Sequence, residues 1–311
     1  MDPAAAPQIQ RPHFLRGNSM PLTWEGRVTH LDLGPGEVAN NVVTVGSESR
    51  ATTLAKLLDG SSGRDGGPAV TTHRSKRGFV THTGKYNGVP VSIILINMGY
   101  PNIDFLVREV REVTEGPLRI VRLGSCAALR QDISVGSVAV ATEGSILVRQ
   151  NPDAWGGDGG AEDMEYEGSS PCYTFHGVVL PNEELTRALL VEMETEMGEG
   201  NVVACLNVTG ESFYSSQGRA DPNFNDHNED IIQEVASRYP SAGSMEMESF
   251  HLLHLAHLCR KSTLHAATAA LVLANRAQDS AIVSKSIDDL ERKAGLAVLK
   301  AITCVSTQKG M

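Results

Sequence analysis

Residues 91–98 read Val-Ser-Ile-Ile-Leu-Ile-Asn-Met, and residues 267–275 read Ala-Thr-Ala-Ala-Leu-Val-Leu-Ala-Asn. Neither run alternates apolar with polar positions, as a strand wetted on one face would. Continuous apolar runs of this length suit strands covered on both faces, as in parallel sheets flanked by helices. Including these two runs, strands are expected at 41–45, 79–86, 90–98, 119–124, 137–148, 202–208 and 265–274. Helical periodicity falls between them, at 49–58, 102–113, 182–197, 229–238, 246–260 and 286–305. This alternation predicts a three-layer α/β/α sandwich with a central mixed, largely parallel twisted sheet.

Working outward, residues 1–22 read as a disordered tail, although Arg11 and Arg16 with few acids also suit a transit peptide. Residues 23–311 read as a single domain. Its one long interruption is 151–172, an acidic, Gly-rich stretch without periodicity, of the kind that is functional or disordered inside a compact domain. A shorter Gly/Ser-rich loop is expected at 59–68. The chain has 311 residues and a net charge of −10, which gives it no electrostatic footprint for nucleic acid and no attraction to an anionic membrane. Five cysteines are scattered without a C-x-x-C pair, which fits a reducing compartment and neither a disulfide framework nor a structural zinc site. No apolar run approaches the length of a bilayer, and a cytoplasmic protein is expected.

In open α/β sheets, ligands sit at the carboxyl ends of strands. Gly46-Ser47-Glu48-Ser49-Arg50 follows the first strand and opens a helix. Backbone amides and a guanidinium there suit an anion, although an ordinary capped turn has the same residues. Arg122-Leu123-Gly124-Ser125-Cys126-Ala127-Ala128 places an arginine in an apolar strand, where it serves either a ligand or a structural ion pair. Phe213-Tyr214-Ser215-Ser216-Gln217-Gly218-Arg219 offers an amide, a guanidinium fork and an aromatic face to one flat polar ring, or forms a polar surface loop. Met245-Glu246-Met247-Glu248-Ser249 opens a helix; its carboxylates either offset the helix dipole or hold a sugar hydroxyl. Asn275-Arg276 closes the last strand. His251, His254 and His257 recur at i, i+3 and i+6, a spacing that drifts around a helix, and no metal is predicted.

Taken together, these segments resemble the uridine phosphorylases of the nucleoside phosphorylase family, from about His30 to the end of the last helix. The most specific pieces are the F-Y-x-x-Q-x-R run at Phe213–Arg219 and M-E-M-E-S at Met245–Ser249. The R-x-G-[ST] run at Arg122–Ser125 is shared more widely. The resemblance implies the nucleoside phosphorylase fold and phosphorolysis of uridine to uracil and ribose 1-phosphate, with inorganic phosphate as co-substrate and no organic cofactor. It assigns phosphate to Gly46, Arg50, Arg122 and Ser125, and to Arg77 supplied by a neighbouring subunit. It assigns ribose to Met247 and Glu248, with His30 reaching the 5′-hydroxyl across a dimer interface. The uracil falls to Phe213, Gln217 and Arg219, with Arg276 orienting them. Arg122, Arg219 and Glu248 are the implied catalytic residues, and the 151–172 insertion resembles the eukaryotic homodimeric type.

The sequence departs from the family pattern at Ala127 and Asn97, where glycine is usual, and at Cys126, where threonine is common. Gly78 stands where some relatives carry a glutamate for an interface ion, and no such ion is predicted. A purine nucleoside phosphorylase, a nucleosidase and a non-catalytic nucleoside binder are the competing readings. A nucleosidase uses water and needs no phosphate cradle. The purine enzymes place an aspartate in the late loop, which here reads Asn275-Arg276-Ala277-Gln278.

Overall fold

The computed structural model describes residues 19–61, 70–154, 171–281 and 287–305. Its strands are β1 (Asn41–Val45), β2 (Thr71–Arg74), β3 (Val80–Tyr86), β4 (Val89–Leu95), β5 (Leu118–Ala128), β6 (Val138–Val140), β7 (Ser145–Gln150), β8 (Tyr173–Val179), β9 (Val202–Ala204), β10 (Leu206–Gly210), β11 (Ala242–Glu246), β12 (Leu264–Asn275) and β13 (Ser280–Ala281). The helices are α1 (Glu48–Ala55), α2 (Tyr100–Val113), α3 (Glu183–Met197), α4 (Ile231–Arg238), α5 (Ser249–Leu258) and α6 (Ile287–Cys304).

All the strands join one mixed sheet, running β2-β3-β4-β1-β5-β11-β10-β7-β8, with β12 beside β5 and β6. The centre is parallel: β1 pairs with β4 and β5, and β12 runs along β5 over nearly its whole length. The outer pairs β2·β3, β3·β4 and β7·β8 are antiparallel. Alternate residues of the central strands feed opposite cores. Val43, Val45, Ile93, Leu95, Val121 and Leu123 face α1, α3 and α6. Val42, Ile94, Ile96 and Ile120 face α2 and α5. That two-sided burial is the physical reason the strands read as unbroken apolar runs.

Several elements differ from the sequence expectation, among them β4 and β5, which run Val89–Leu95 and Leu118–Ala128 against 90–98 and 119–124. The run 137–148 is two strands, β6 and β7, separated by a turn. Gly144 there has φ +87°, and a Cβ would lie 2.3 Å from the Val179 carbonyl oxygen, so only glycine fits. The run 202–208 breaks at Cys205, whose amide bonds to Val140 while β10 turns to pair with β7. The helix expected at 246–260 starts at Ser249, because Glu246 completes β11 and Glu248 is the N-cap. β2 is a polar, largely exposed edge strand, and β8 (Tyr-Thr-Phe-His-Gly-Val-Val) is a partly exposed edge strand without strict alternation; neither was expected. The segment 151–172 is the connection between β7 and β8. Its ends are tied by Asn151, which bonds to Cys172 at 2.8 Å and to Pro171 at 3.0 Å. Most of it, with most of the expected tail and of the 59–68 loop, lies outside the described residues.

Candidate active site

A cavity of about 410 Å³ opens at the carboxyl ends of β1, β5 and β12. Gly46, Arg50, Arg122, Ser125, Phe213, Gln217, Arg219, Met247 and Glu248 all line it, although they come from four separate stretches of sequence. Cys126, Ala127, Leu273 and Ala274 supply its apolar wall. A β-bulge between Val272 and Ala274 shifts the register of β12 against β5 at Leu273, and both Leu273 and Ala274 reach the cavity.

One end is cationic. Ser47 caps α1, its hydroxyl accepting from the Arg50 amide at 3.3 Å. Arg50 lines the cavity at 4% exposure, and each of its three guanidinium nitrogens has a protein partner. Its Nε donates to Glu291 at 2.9 Å, Nη1 to the Leu123 carbonyl at 3.1 Å and Nη2 to Ser125 Oγ at 2.7 Å. Burial pushes this guanidinium below its ordinary range, and the Glu291 carboxylate pulls it back up. Arg122 pairs with Glu248 at 2.8 Å, while its Nε and Nη1 are buried with no partner among the described residues. Unpaired buried donors cost about 1–3 kcal/mol each, and Arg122 lines the cavity together with Arg50 and the Gly46–Ser47 start of α1, a cationic wall that suits an anion. Gly46 lets the backbone pass close: a Cβ there would meet the Asn97 carbonyl at 3.2 Å and Arg122 Nη2 at 3.5 Å. Asn97 itself sits at φ +59°, a left-handed position that asparagine tolerates, which accounts for its replacing glycine there.

The middle of the cavity holds the carboxylates. Glu248 accepts from the Gly99 amide at 2.6 Å as well as from Arg122, so its position is set by two elements far apart in sequence. Glu246 lies beneath it. Its carboxylate accepts from Asn207 Nδ2 at 2.8 Å and Thr209 Oγ1 at 2.7 Å, and from the Glu248 and Ser249 amides at 2.9 Å. Burial, and then the nearby Glu248 carboxylate, raise the Glu246 carboxyl above its ordinary range. Glu246 thus caps the start of α5 and orients the backbone that presents Met247 and Glu248.

The other end is amide and guanidinium. Arg219 Nη1 donates to Gln217 Oε1 at 2.5 Å and to the Phe213 carbonyl at 2.6 Å, and its guanidinium lies 3.8 Å from the Phe213 ring centroid. Burial pushes Arg219 down to about 10, with neighbouring Arg276 acting in the same direction, and it stays charged at neutral pH. Arg276 is not in the cavity wall. It holds the 217–218 turn from behind, donating to the Gln217 carbonyl and, at 2.7 Å, to Gly218. The turn needs Gly218 at φ +61°.

His30 and Arg77 are not brought to this cavity. His30 packs on α2 against Phe105, and Arg77 is exposed in the β2–β3 turn. The three helical histidines diverge. His251 stacks on Tyr100 at 3.4 Å, His254 on Phe250 at 5.8 Å, and His257 meets the Leu180 carbonyl. Among the described residues no group of three side chains is arranged to hold a metal ion. Sequence reasoning missed Glu291, Asn207 and Thr209, and placed Glu246 at a helix start, whereas it completes β11. Glu291 carried a signal: it falls on the apolar stripe of α6 with Ala294, Val298 and Ile302, where an unpaired charge is unexpected.

A family model described as the phosphorylase superfamily matches residues 41–307. The chain is 27% identical to a uridine phosphorylase of Thermococcus kodakarensis over 82% of its own length and 80% of the relative's. It is also 27% identical to a DeoD-type purine nucleoside phosphorylase of Bacillus velezensis, over 76% and 83% of the two chains. A solved structure from work on two uridine phosphorylases of the oomycete Phytophthora capsici superposes with TM-score 0.85 at 39% identity, covering 94% of this chain and 99% of that one. A Trypanosoma brucei nucleoside phosphorylase shares the fold, with TM-score 0.71 at 18% identity over 92% of this chain and 99% of that one. With the family model spanning nearly all of the folded body, this chain belongs to the phosphorylase superfamily and is a pentosyltransferase of the nucleoside phosphorylase type.

Proposed function

We propose that the enzyme cleaves uridine with inorganic phosphate, giving uracil and ribose 1-phosphate. The observation that carries the choice of base is the Gln217–Arg219 pair braced by Arg276. An amide beside a guanidinium matches the carbonyl and imide edge of uracil. The late loop, in which the purine enzymes place an aspartate, here reads Asn275-Arg276-Ala277-Gln278, and the Asn275 side chain is committed to that loop and its neighbours. Its Nδ2 donates to the Arg130 and Ile133 carbonyls, and its Oδ1 accepts from the Ala277 and Gln278 amides. It has no group left to protonate a purine.

Phosphate binds against Arg50, Arg122, Ser125 and the Gly46 turn. One of its oxygens attacks the anomeric carbon as the bond to the uracil nitrogen breaks. The bonding electrons leave with the base, where Arg219 and Gln217 stabilise the developing charge. Met247 packs on the sugar, Glu248 accepts from its hydroxyls, and Phe213 covers the base. The reaction needs no metal and no organic cofactor.

His30 and Arg77 complete the site of a second copy in a homodimer. Neither lines the cavity of its own chain, which supports this arrangement. The enzyme works in the cytoplasm, a reading that the five scattered cysteines without a C-x-x-C pair support.

The test is uracil release from uridine with and without phosphate, with inosine run alongside because purine relatives are also similar. Phosphate-dependent uracil release with little inosine cleavage is expected. Release without phosphate would mean a nucleosidase, and preference for inosine would move the fault to the base end.

A further inference from the structure

One buried carboxylate has no part in the chemistry above. Glu109, on α2, is 2% exposed and accepts from the His30 amide at 3.0 Å and the Leu31 amide at 2.8 Å. Its Oε1 also lies 2.5 Å from His30 Nδ1. Phe105, one turn earlier on the same helix, stacks on the His30 ring with centroids 3.8 Å apart and planes 11° apart. Phe79 packs edge-on to Phe105 at 6.4 Å. The imidazole is thus fixed along one edge and across one face. Two amides would be enough to dock the 30–31 turn on a carboxylate. The third contact does something else: it fixes which ring nitrogen carries the proton. A neutral ring donating from Nδ1 to Glu109 leaves its lone pair on Nε2. That nitrogen has no hydrogen-bond partner among the described residues, and the side chain is 21% exposed.

We infer that Glu109 is a positioning residue for the nucleoside site of a second copy of this chain. By fixing the tautomer and direction of His30, it makes Nε2 an acceptor for the 5′-hydroxyl of the substrate. This rests on the shared-site reading proposed above. Replacing Glu109 by glutamine keeps an acceptor for the two amides but puts an N–H against Nδ1. The ring then has to carry its proton on Nε2, which reverses the hydrogen bond it offers.

The experiment compares uridine with 5′-deoxyuridine, at saturating phosphate, for the wild type, His30→Ala, Glu109→Gln and the double variant, with ¹⁵N NMR of the His30 ring. Glu109→Gln is expected to lower kcat/KM on uridine about tenfold, the worth of one hydrogen bond. It should leave 5′-deoxyuridine nearly unchanged and add nothing in the His30→Ala background. The ring spectrum should move from a bare to a protonated Nε2. Equal loss on both substrates, additive loss in the double variant or an unmoved tautomer would overturn the role of Glu109. If His30→Ala keeps full preference for uridine over 5′-deoxyuridine, the shared-site reading falls, and this inference with it. If His30→Ala abolishes the preference and Glu109→Gln preserves it, only the Glu109 role falls. Should Glu109→Gln fail to fold, Glu109→Asp, which withdraws the carboxylate from Nδ1 by one methylene, is read by kinetics alone: a loss confined to uridine and absent in the His30→Ala background supports the role, and equal loss on both substrates overturns it.

Discussion

The two ends of the cavity are built in opposite ways. At the base end, Phe213, Gln217 and Arg219 come from one stretch of seven residues, contact one another directly, and leave Phe213 45% exposed. At the anion end, Arg50, Arg122, Ser125 and Glu248 come from α1, β5 and the start of α5, and the two arginines and Glu248 are almost wholly buried. Their partners are remote: Arg50 with Glu291 across 241 positions, Glu248 with Gly99 across 149. A charge held in a packed core by distant elements cannot relax when one partner is lost, whereas a turn at the rim can. The anion end is therefore the more rigid reference of the site; at the base end Gln217 is buried and braced by Arg276, and Phe213 and Arg219 at the rim are the adaptable part. This difference also bears on specificity, since members of the superfamily named for uridine and for purine nucleosides are both similar to this chain.

The largest effect should come from Arg122→Ala. It removes a guanidinium that lines the cavity and leaves Glu248 buried without its cation. Loss of kcat/KM by about 10³-fold is expected from the electrostatic role alone, together with a stability loss of about 3–5 kcal/mol from the broken buried pair. Steady-state kinetics and thermal unfolding would separate the two. A variant as stable as the wild type and within tenfold of its activity would remove the rigid end from the argument.

Arg219→Ala should cost about 10²-fold in uridine cleavage and leave stability almost untouched, since its partners Gln217 and Phe213 lie in the same turn. Stabilisation by phosphate in a thermal shift should survive. Loss of phosphate protection would show that the two ends are one coupled unit rather than two.

Glu291→Gln probes the anion end at one remove from substrate. The amide keeps one acceptor for Arg50 but loses the charge that offsets burial of the guanidinium. KM for phosphate should rise about tenfold, within the range for a charge-assisted bond made neutral, while KM for uridine stays put. A matching rise in both constants would mean that Glu291 supports the fold generally and not the anion site.

The same contrast explains what the sequence allowed to be read. The base end was legible because its chemistry is written in one local motif, and the apolar runs at 91–98 and 267–275 disclosed a sheet covered on both faces. Arg122 stood out because a charge inside an apolar strand needs a reason. Glu246 was visible but misplaced on a helix, because the pattern Met-Glu-Met-Glu-Ser does not reveal that β11 runs through Glu246 before the chain turns. Glu291 and Glu109 acquire meaning only through partners 241 and 79 positions away, and no local pattern records such pairings. β2 was missed for a different reason: an edge strand that buries little is under little pressure to be apolar, and Thr-Thr-His-Arg carries no such signal.

The smallest effect, and the one that sharpens the contrast most, is expected from Phe213→Ala. The ring is nearly half exposed, lies 3.8 Å from the Arg219 guanidinium, and has Tyr214 edge-on at 5.2 Å. An exposed cation–π contact is worth about 0.5–1 kcal/mol, so removing the ring should raise KM for uridine only a few-fold, with kcat and melting temperature nearly constant. The reason is that stacking holds the base equally in the ground state and the transition state, so its loss weakens binding uniformly and leaves the chemical step alone. Arg219, by contrast, meets charge that appears only as the bond breaks. A large fall in kcat for Phe213→Ala would mean that the ring is needed to hold Arg219 in place. The base end would then be as rigid as the anion end, with its order supplied locally by one aromatic side chain instead of by distant buried partners.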